Sequence, residues 1–156
     1  MNLLFVCTGN TCGSPMAEYM AKKLFAEKKL NINIWSRGTN VFVATGMSAN
    51  ALLAIKEMGF DGSKHIAKQL EIDDIEKADL VIAMTNKQKS DIQCLCDNLG
   101  KELYTIHEFA KNDSKSDVEN PYGGTLADYE NCANVIYDCI KLMPDILIEK
   151  YKNKLQ

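Results

Sequence analysis

Apolar residues fall into two patterns along this chain: short unbroken runs, and longer stripes at helical spacing. Leu3-Leu4-Phe5-Val6 and Leu80-Val81-Ile82-Ala83-Met84 are unbroken runs, as expected of parallel strands buried on both faces. Ile32, Ile34 and Trp35 predict another strand, ending in Ser36-Arg37-Gly38-Thr39, and Glu102-Leu103-Tyr104-Thr105 predicts a fourth. From 14 to 29, Met16, Ala17, Met20, Ala21, Leu24 and Phe25 make one helical face, with lysines and Glu27 on the other. Further helices are predicted over 48–58, with Gly59 as stop, over 71–77, and over 86–98, closed by Gly100. Residues 107–124 read as a long polar loop, and structureless loops of that length are usually functional. A terminal helix follows, carrying Leu126, Tyr129, Ala133, Ile136, Ile140 and Met143, which Pro144 either kinks or restarts.

Strands alternating with helices predict an α/β fold. The expected form is a single-domain three-layer sandwich over residues 1–156, with a four-stranded parallel sheet and helices on both faces. Ligands of such sheets bind beyond the carboxyl ends of the strands, near the switch in strand order. A length of 156 residues suffices for a real core. The net charge of −3, without a dense basic patch, argues against a nucleic-acid partner. No stretch has the length of a membrane span, and the first apolar run is too short for a signal peptide. The expectation is a cytoplasmic monomer whose six cysteines are reduced. Neither metal nor cofactor is expected. Cys94 and Cys96 fall on opposite helix faces, Cys132 and Cys139 share a core face, and no Cys-x2-Cys spacing occurs.

The richest local signal follows the first strand: Cys7-Thr8-Gly9-Asn10-Thr11-Cys12-Gly13-Ser14, then Pro15. Gly9 and Asn10 suit positive φ, and Ser14-Pro15 reads as an N-cap with proline at the first helical position. A strand, a small-residue loop and a helix N-terminus together make an anion cradle of inward N–H groups. A thiol at Cys7 would there be depressed in pKa and nucleophilic. The plainer alternative is a small buried residue ending a strand.

Cys7 to Ser14, with Pro15-Met16-Ala17-Glu18 behind, resembles the Cys-x5-Arg-Ser phosphate loop of the low-molecular-weight protein-tyrosine-phosphatase family. Thr8 and Thr11 bring it nearest the branch similar to bacterial protein-arginine phosphatases. The resemblance implies Cys7 as nucleophile, residues 8–14 (Thr8, Gly9, Asn10, Thr11, Cys12, Gly13, Ser14) as phosphate-binding, and Ser36 and His65 as loop support. It implies Thr11 and Tyr122 at the substrate pocket. Two catalytic positions depart from the family pattern. Gly13 stands where the family has arginine, and Asn120, in Asn120-Pro121-Tyr122-Gly123, where it has the acidic aspartate.

An amide cannot deliver a proton at neutral pH, and losing an acid costs ~10²–10⁴ in rate. Losing one oxyanion donor costs ~10²–10³. Two substitutes are open: Arg37 swinging over the loop, against a solvated surface arginine, and Glu119 supplying the proton, against a side chain turned away. The resemblance also implies a protective disulfide between Cys7 and Cys12, against simple packing at Cys12. The function expected is protein-tyrosine or protein-arginine phosphate hydrolysis through a phosphocysteine, strongly impaired. The alternative is an inert pseudophosphatase binding phosphoproteins, phosphate or sulfate. A thiol-dependent arsenate reductase would need a cysteine where Thr85 stands.

Overall fold

The computed structural model describes residues 1–96 and 102–155. Strands β1 (Asn2–Cys7), β2 (Asn33–Gly38), β3 (Leu80–Ala83) and β4 (Glu102–Thr105) form one parallel sheet in the order β2-β1-β3-β4. Seven α-helices are described: α1 (Gly13–Glu27), α2 (Ala49–Glu57), α3 (Ile72–Lys77), α4 (Asn86–Leu95), α5 (Ile106–Lys111), α6 (Leu126–Ile140) and α7 (Met143–Tyr151). The fold class is the α/β sandwich that the apolar pattern predicts.

Alternation along the strands sorts the side chains into two layers. Leu3, Phe5 and Cys7 share one core with Met16, Met20 and Phe25 of α1 and Ile136 and Ile140 of α6. Leu4 and Val6 face the other way, against Ile75 of α3 and Ile92 of α4. The chain leaves β1 toward β2 on one side and later passes to β3 on the other. The end of β1 is therefore the switch point, and Cys7 sits on it.

Several expected boundaries shift. α1 starts at Gly13 with Cys12 in the N-cap position, so Ser14 lies inside the helix and makes no cap. It stops at Glu27, just before Lys29 in the left-handed region at φ 58°. β2 starts at Asn33, one residue later than expected, and ends at Gly38, inside the expected Ser36–Thr39 end. Cys96 lies beyond the end of α4 rather than on its opposite face, and Gly100 is outside the described residues. The expected 107–124 loop begins with α5, which Thr105 and Glu108 start with a reciprocal capping box and which buries Ile106, Phe109 and Ala110. Pro144 restarts the helix as α7.

The end of β2 docks on the loop after β1 through Thr39 N–H to Cys7 C=O (2.9 Å) and Asn40 N–H to Thr8 C=O (2.9 Å). The approach is close enough to require glycine: a Cβ on Gly38 would lie 2.6 Å from Thr8 O and 3.0 Å from Asn10 Cβ. Among the described residues no helix is long and apolar enough to cross a membrane. Gly38→Ala is expected to lower stability by about 1–3 kcal/mol, the usual cost of overpacking. Urea unfolding checks this, with a drop in midpoint at unchanged slope.

Candidate active site

The loop after β1 is held by a buried polar network in which Asn10, Ser14, Ser36 and His65, all expected from the sequence, are joined by Glu18, Lys22 and Lys68. Asn10, at φ 54°, is the residue that takes the left-handed turn. Its side chain is fully buried. Asn10 Nδ2 donates to Ser14 Oγ (2.9 Å) and Ser36 Oγ (2.9 Å), and Asn10 Oδ1 accepts from Lys68 N–H (2.9 Å). His65 Nε2 donates to the Asn10 carbonyl at 2.6 Å, with its Nδ1 3.8 Å from Glu18 Oε2. Ser36 Oγ donates to Glu18 Oε2 at 2.5 Å, and Lys22 pairs with the same carboxylate at 2.6 Å. Asn10 and Ser14 therefore brace the loop from behind with their side chains, rather than offering them to a ligand.

On the other side of the loop lies Cys7. Ser14 Oγ is 2.9 Å from its Sγ, and Asn10 N–H donates to that sulfur at 3.2 Å. The main-chain N–H groups of Gly9, Thr11 and Cys12 donate to no acceptor among the described residues. This is the donor-rich floor that an oxoanion requires. The thiol, however, is not depressed as expected. Burial pushes the Cys7 pKa above the ordinary value, with the hydrogen bonds from Ser14 and Asn10 only partly offsetting it. Among the described residues no cation stands beside the sulfur to reverse this.

A cavity of about 330 Å³ opens above Cys7. It brings together Cys7, Gly13 and Asn120, together with Thr8, Gly9, Thr11, Cys12 and Tyr122. Asn120 is exposed and its Oδ1 accepts from Tyr122 N–H (3.1 Å), a local turn that directs the strip 118–122 along the mouth. Val118 N–H donates to the Met84 carbonyl (3.0 Å) and ties that strip to the end of β3. Glu119 lines the cavity as well, contrary to the expectation that neighbours in an extended loop point apart.

Arg37 does neither thing considered for it. In the β1–β2 register Cys7 pairs with Gly38 and Val6 with Arg37, so its side chain belongs to the face opposite the thiol. There Arg37 Nε lies 3.0 Å from Asp74 Oδ1, close enough for charge pairing though off the line of a hydrogen bond. Thr85 is occupied as the N-cap of α4.

Four contributors went unnoticed in the sequence: Asn40, Phe42, Gln88 and Cys132. Phe42 is 88% exposed in a Val41-Phe42-Val43 triplet that belongs to no element, which was the available signal. Gln88 Nε2 donates to Thr8 Oγ1 (3.1 Å). Cys132, expected only in the core, is buried and also forms cavity wall. Burial first, then the nearby Cys12, Cys7 and Glu119, push its thiol up to about 12. Cys12 is buried beside Ser48 Oγ (3.4 Å) and Tyr129 Oη (3.7 Å), and it is a free thiol, as is Cys7.

A cysteine under main-chain donors at the switch point of a parallel sheet defines the class of cysteine-based phosphate-loop proteins. The profile of the family described as low molecular weight phosphotyrosine protein phosphatase matches residues 2–154, and the chain belongs to that family. It is 31% identical over 141 residues to a protein-arginine-phosphatase of Bacillus subtilis, covering 90% of this chain and 93% of the relative. It is 32% identical over 140 residues to the low molecular weight protein-tyrosine-phosphatase Ptp of Acinetobacter johnsonii, covering 89% and 92%. Among solved structures, a mutant YwlE arginine phosphatase with a phosphorylated active-site serine superposes with TM-score 0.91 at 29% identity, over 97% of this chain and 99% of that one. A low molecular weight protein tyrosine phosphatase from T. tengcongensis gives 0.85 at 36%, over 96% and 99%.

A raised Cys7 pKa predicts that iodoacetamide alkylation climbs with pH through a midpoint above that of an ordinary free cysteine. Ser14→Ala moves that midpoint higher and Gly13→Arg moves it lower. Because the unfolded thiol ionises first, Cys7 also makes stability fall as pH rises past about 8.5. Mass-spectrometric alkylation rates from pH 6 to 10 check the order of the three midpoints.

Proposed function

We propose that this chain is a low-molecular-weight phosphatase-type domain that grips phosphate carried on tyrosine or arginine side chains of proteins and turns it over only weakly. The observation that carries this reading is the composition of one cavity. Main-chain donors and a cysteine lie at its floor, while the positions of guanidinium and acid are held by Gly13 and Asn120.

Hydrolysis through a phosphocysteine needs a thiolate attacking phosphorus, donors for the equatorial oxygens and a proton for the leaving group. This cavity supplies the donors in part. Its thiol is biased toward the protonated form, Gly13 offers no bidentate partner to the dianion, and Asn120 has no proton to give. Binding asks for less. Loop amides and the N-terminal end of α1 suffice for phosphate or sulfate. The arginine- and tyrosine-phosphatase relatives make phosphorylated protein side chains the natural occupants.

Restoring the two groups tests the reading. The tightest contact of a Cβ at Gly13 would be Met84 Cγ at 3.2 Å, on a flexible side chain, with Met84 Sδ (3.7 Å) and Cys7 Cβ (4.0 Å) at ordinary distances, so Gly13→Arg is sterically accessible. Turnover of an aryl phosphate is expected to be near background in the unmodified chain. It should rise by about 10²-fold or more in the Gly13→Arg, Asn120→Asp double variant. Inorganic phosphate should bind before and after the change. Ready turnover by the unmodified chain, or absence of phosphate binding by fluorescence or calorimetry, overturns the reading.

A further inference from the structure

The cavity above Cys7 carries one formal charge, and its sign is the opposite of what a phosphate site leads one to expect. Among the described residues that line it, Glu119 alone is a charged type. Glu119 is exposed and has no hydrogen-bond or ion-pair partner among the described residues. Its carboxylate acts on the cavity wall, where it disfavours ionisation of Cys132. The lysines on nearby α4 are committed elsewhere, Lys87 to Asp91 (3.0 Å) and Lys89 to Glu108 (2.8 Å). The site thus offers main-chain donors to an anion at its floor and an unpaired anion at its mouth. A ligand matching both ends has a negative head joined directly to a positive neck.

We propose that Glu119 is a specificity-determining residue that selects phosphate carried on a protonated nitrogen base, an N-phosphorylated guanidinium above all, over phosphate carried on a neutral phenol. The proposal rests on the phosphate-gripping reading above and deepens it. In a phosphorylated guanidinium the positive charge is spread over atoms one and two bonds beyond the bridging nitrogen, which places it at the mouth while phosphate occupies the floor. A phosphorylated tyrosine sets a neutral ring at the same depth, and the carboxylate then only repels the dianion.

Such a ligand also lessens the handicap of Asn120. Once Cys7 has given its proton to solvent, the S–P bond forms as the P–N bond breaks, and the bonding pair stays on nitrogen. The guanidinium already carries an extra proton, so it departs as neutral guanidine and afterwards takes a proton from water. A tyrosine departs as phenolate unless an acid protonates it. A site without a dedicated acid therefore favours the nitrogen-linked phosphate in both binding and departure.

The test uses two peptides of one sequence, bearing phosphoarginine or phosphotyrosine at the same position, titrated calorimetrically into the unmodified chain, Glu119→Gln and Glu119→Asp. The ratio of affinities, phosphoarginine over phosphotyrosine, is expected to fall about two- to fivefold in Glu119→Gln, the range open to one exposed charge pair. Glu119→Asp should keep most of the ratio, and 1 M salt should erase the difference between chain and Gln variant. An unchanged ratio in Glu119→Gln, with both peptides still bound, overturns the proposal and leaves the phosphate-gripping reading intact. A Glu119→Gln effect confined to hydrolysis rate, with affinities equal, makes the residue a proton donor instead and also overturns it. Failure of inorganic phosphate and both peptides to bind the unmodified chain removes the phosphate-gripping reading itself.

Discussion

Everything around the thiol depends on how Asn10 is tied down. Its backbone sits in the left-handed region, its side chain is wholly buried, and its polar atoms are matched in four directions. The amide spans Ser14, Ser36 and Lys68, the carbonyl takes the His65 proton, and the N–H points at Cys7 Sγ. A buried group left without its partner costs about 1–3 kcal/mol, so each of these bonds resists the loss of the others. The loop is fixed by a neighbouring strand, a distant histidine and the helix that follows it. It does not need a ligand, or an arginine, to keep its shape.

That bracing does not involve position 13, where this chain has glycine. The bracing network ends in the Glu18 carboxylate, which Lys22 and Ser36 satisfy, so the negative charge behind the loop is compensated there. The only arginine in the chain is on the far side of the sheet. Strand register decides this: a side chain one residue before Gly38 must face Val6, not Cys7, and Asp74 receives it. The floor of the cavity is therefore electropositive only through main-chain dipoles. Burial then pushes the pKa of the Cys7 thiol up.

The sheet and its order of elements were legible because Leu3–Val6 and Leu80–Ala83 are uninterrupted apolar runs, which buried parallel strands demand. The loop was legible because strand, small residues and helix start are adjacent in sequence. Asn10, Ser14, Ser36 and His65 were legible as one unit through family resemblance alone, since no periodicity joins residues 55 apart. Helix α5 was hidden by its six residues, too few for a helical stripe to stand out from a polar stretch. The direction of the thiol's shift differs from the expectation because a field argument omits burial, which here pushes the Cys7 pKa up. Phe42 and Gln88 were missed for a different reason. Gln88 reaches the cavity from α4, which nothing in the sequence marks as facing it, and Phe42 from a short apolar triplet outside any element, too brief to be read as part of a site.

Met84 joins the two departures from the family pattern mechanically. Its side chain packs where a Cβ at Gly13 would stand, 3.2 Å from that point, and its carbonyl holds Val118 two residues before Asn120. The residue is almost fully buried, so its backbone cannot move without disturbing the end of β3. The floor at position 13 and the mouth at position 120 are thus referenced to one rigid strand end. Gly13 has no side chain with which to hold the loop, and Asn120 holds only its own turn, through Oδ1 to Tyr122 N–H. That frame positions a sulfur and a set of free amides with the tolerance of the sheet itself. Glu119 is the one charged type among the described residues that line the cavity, so any discrimination by side-chain charge there falls to it.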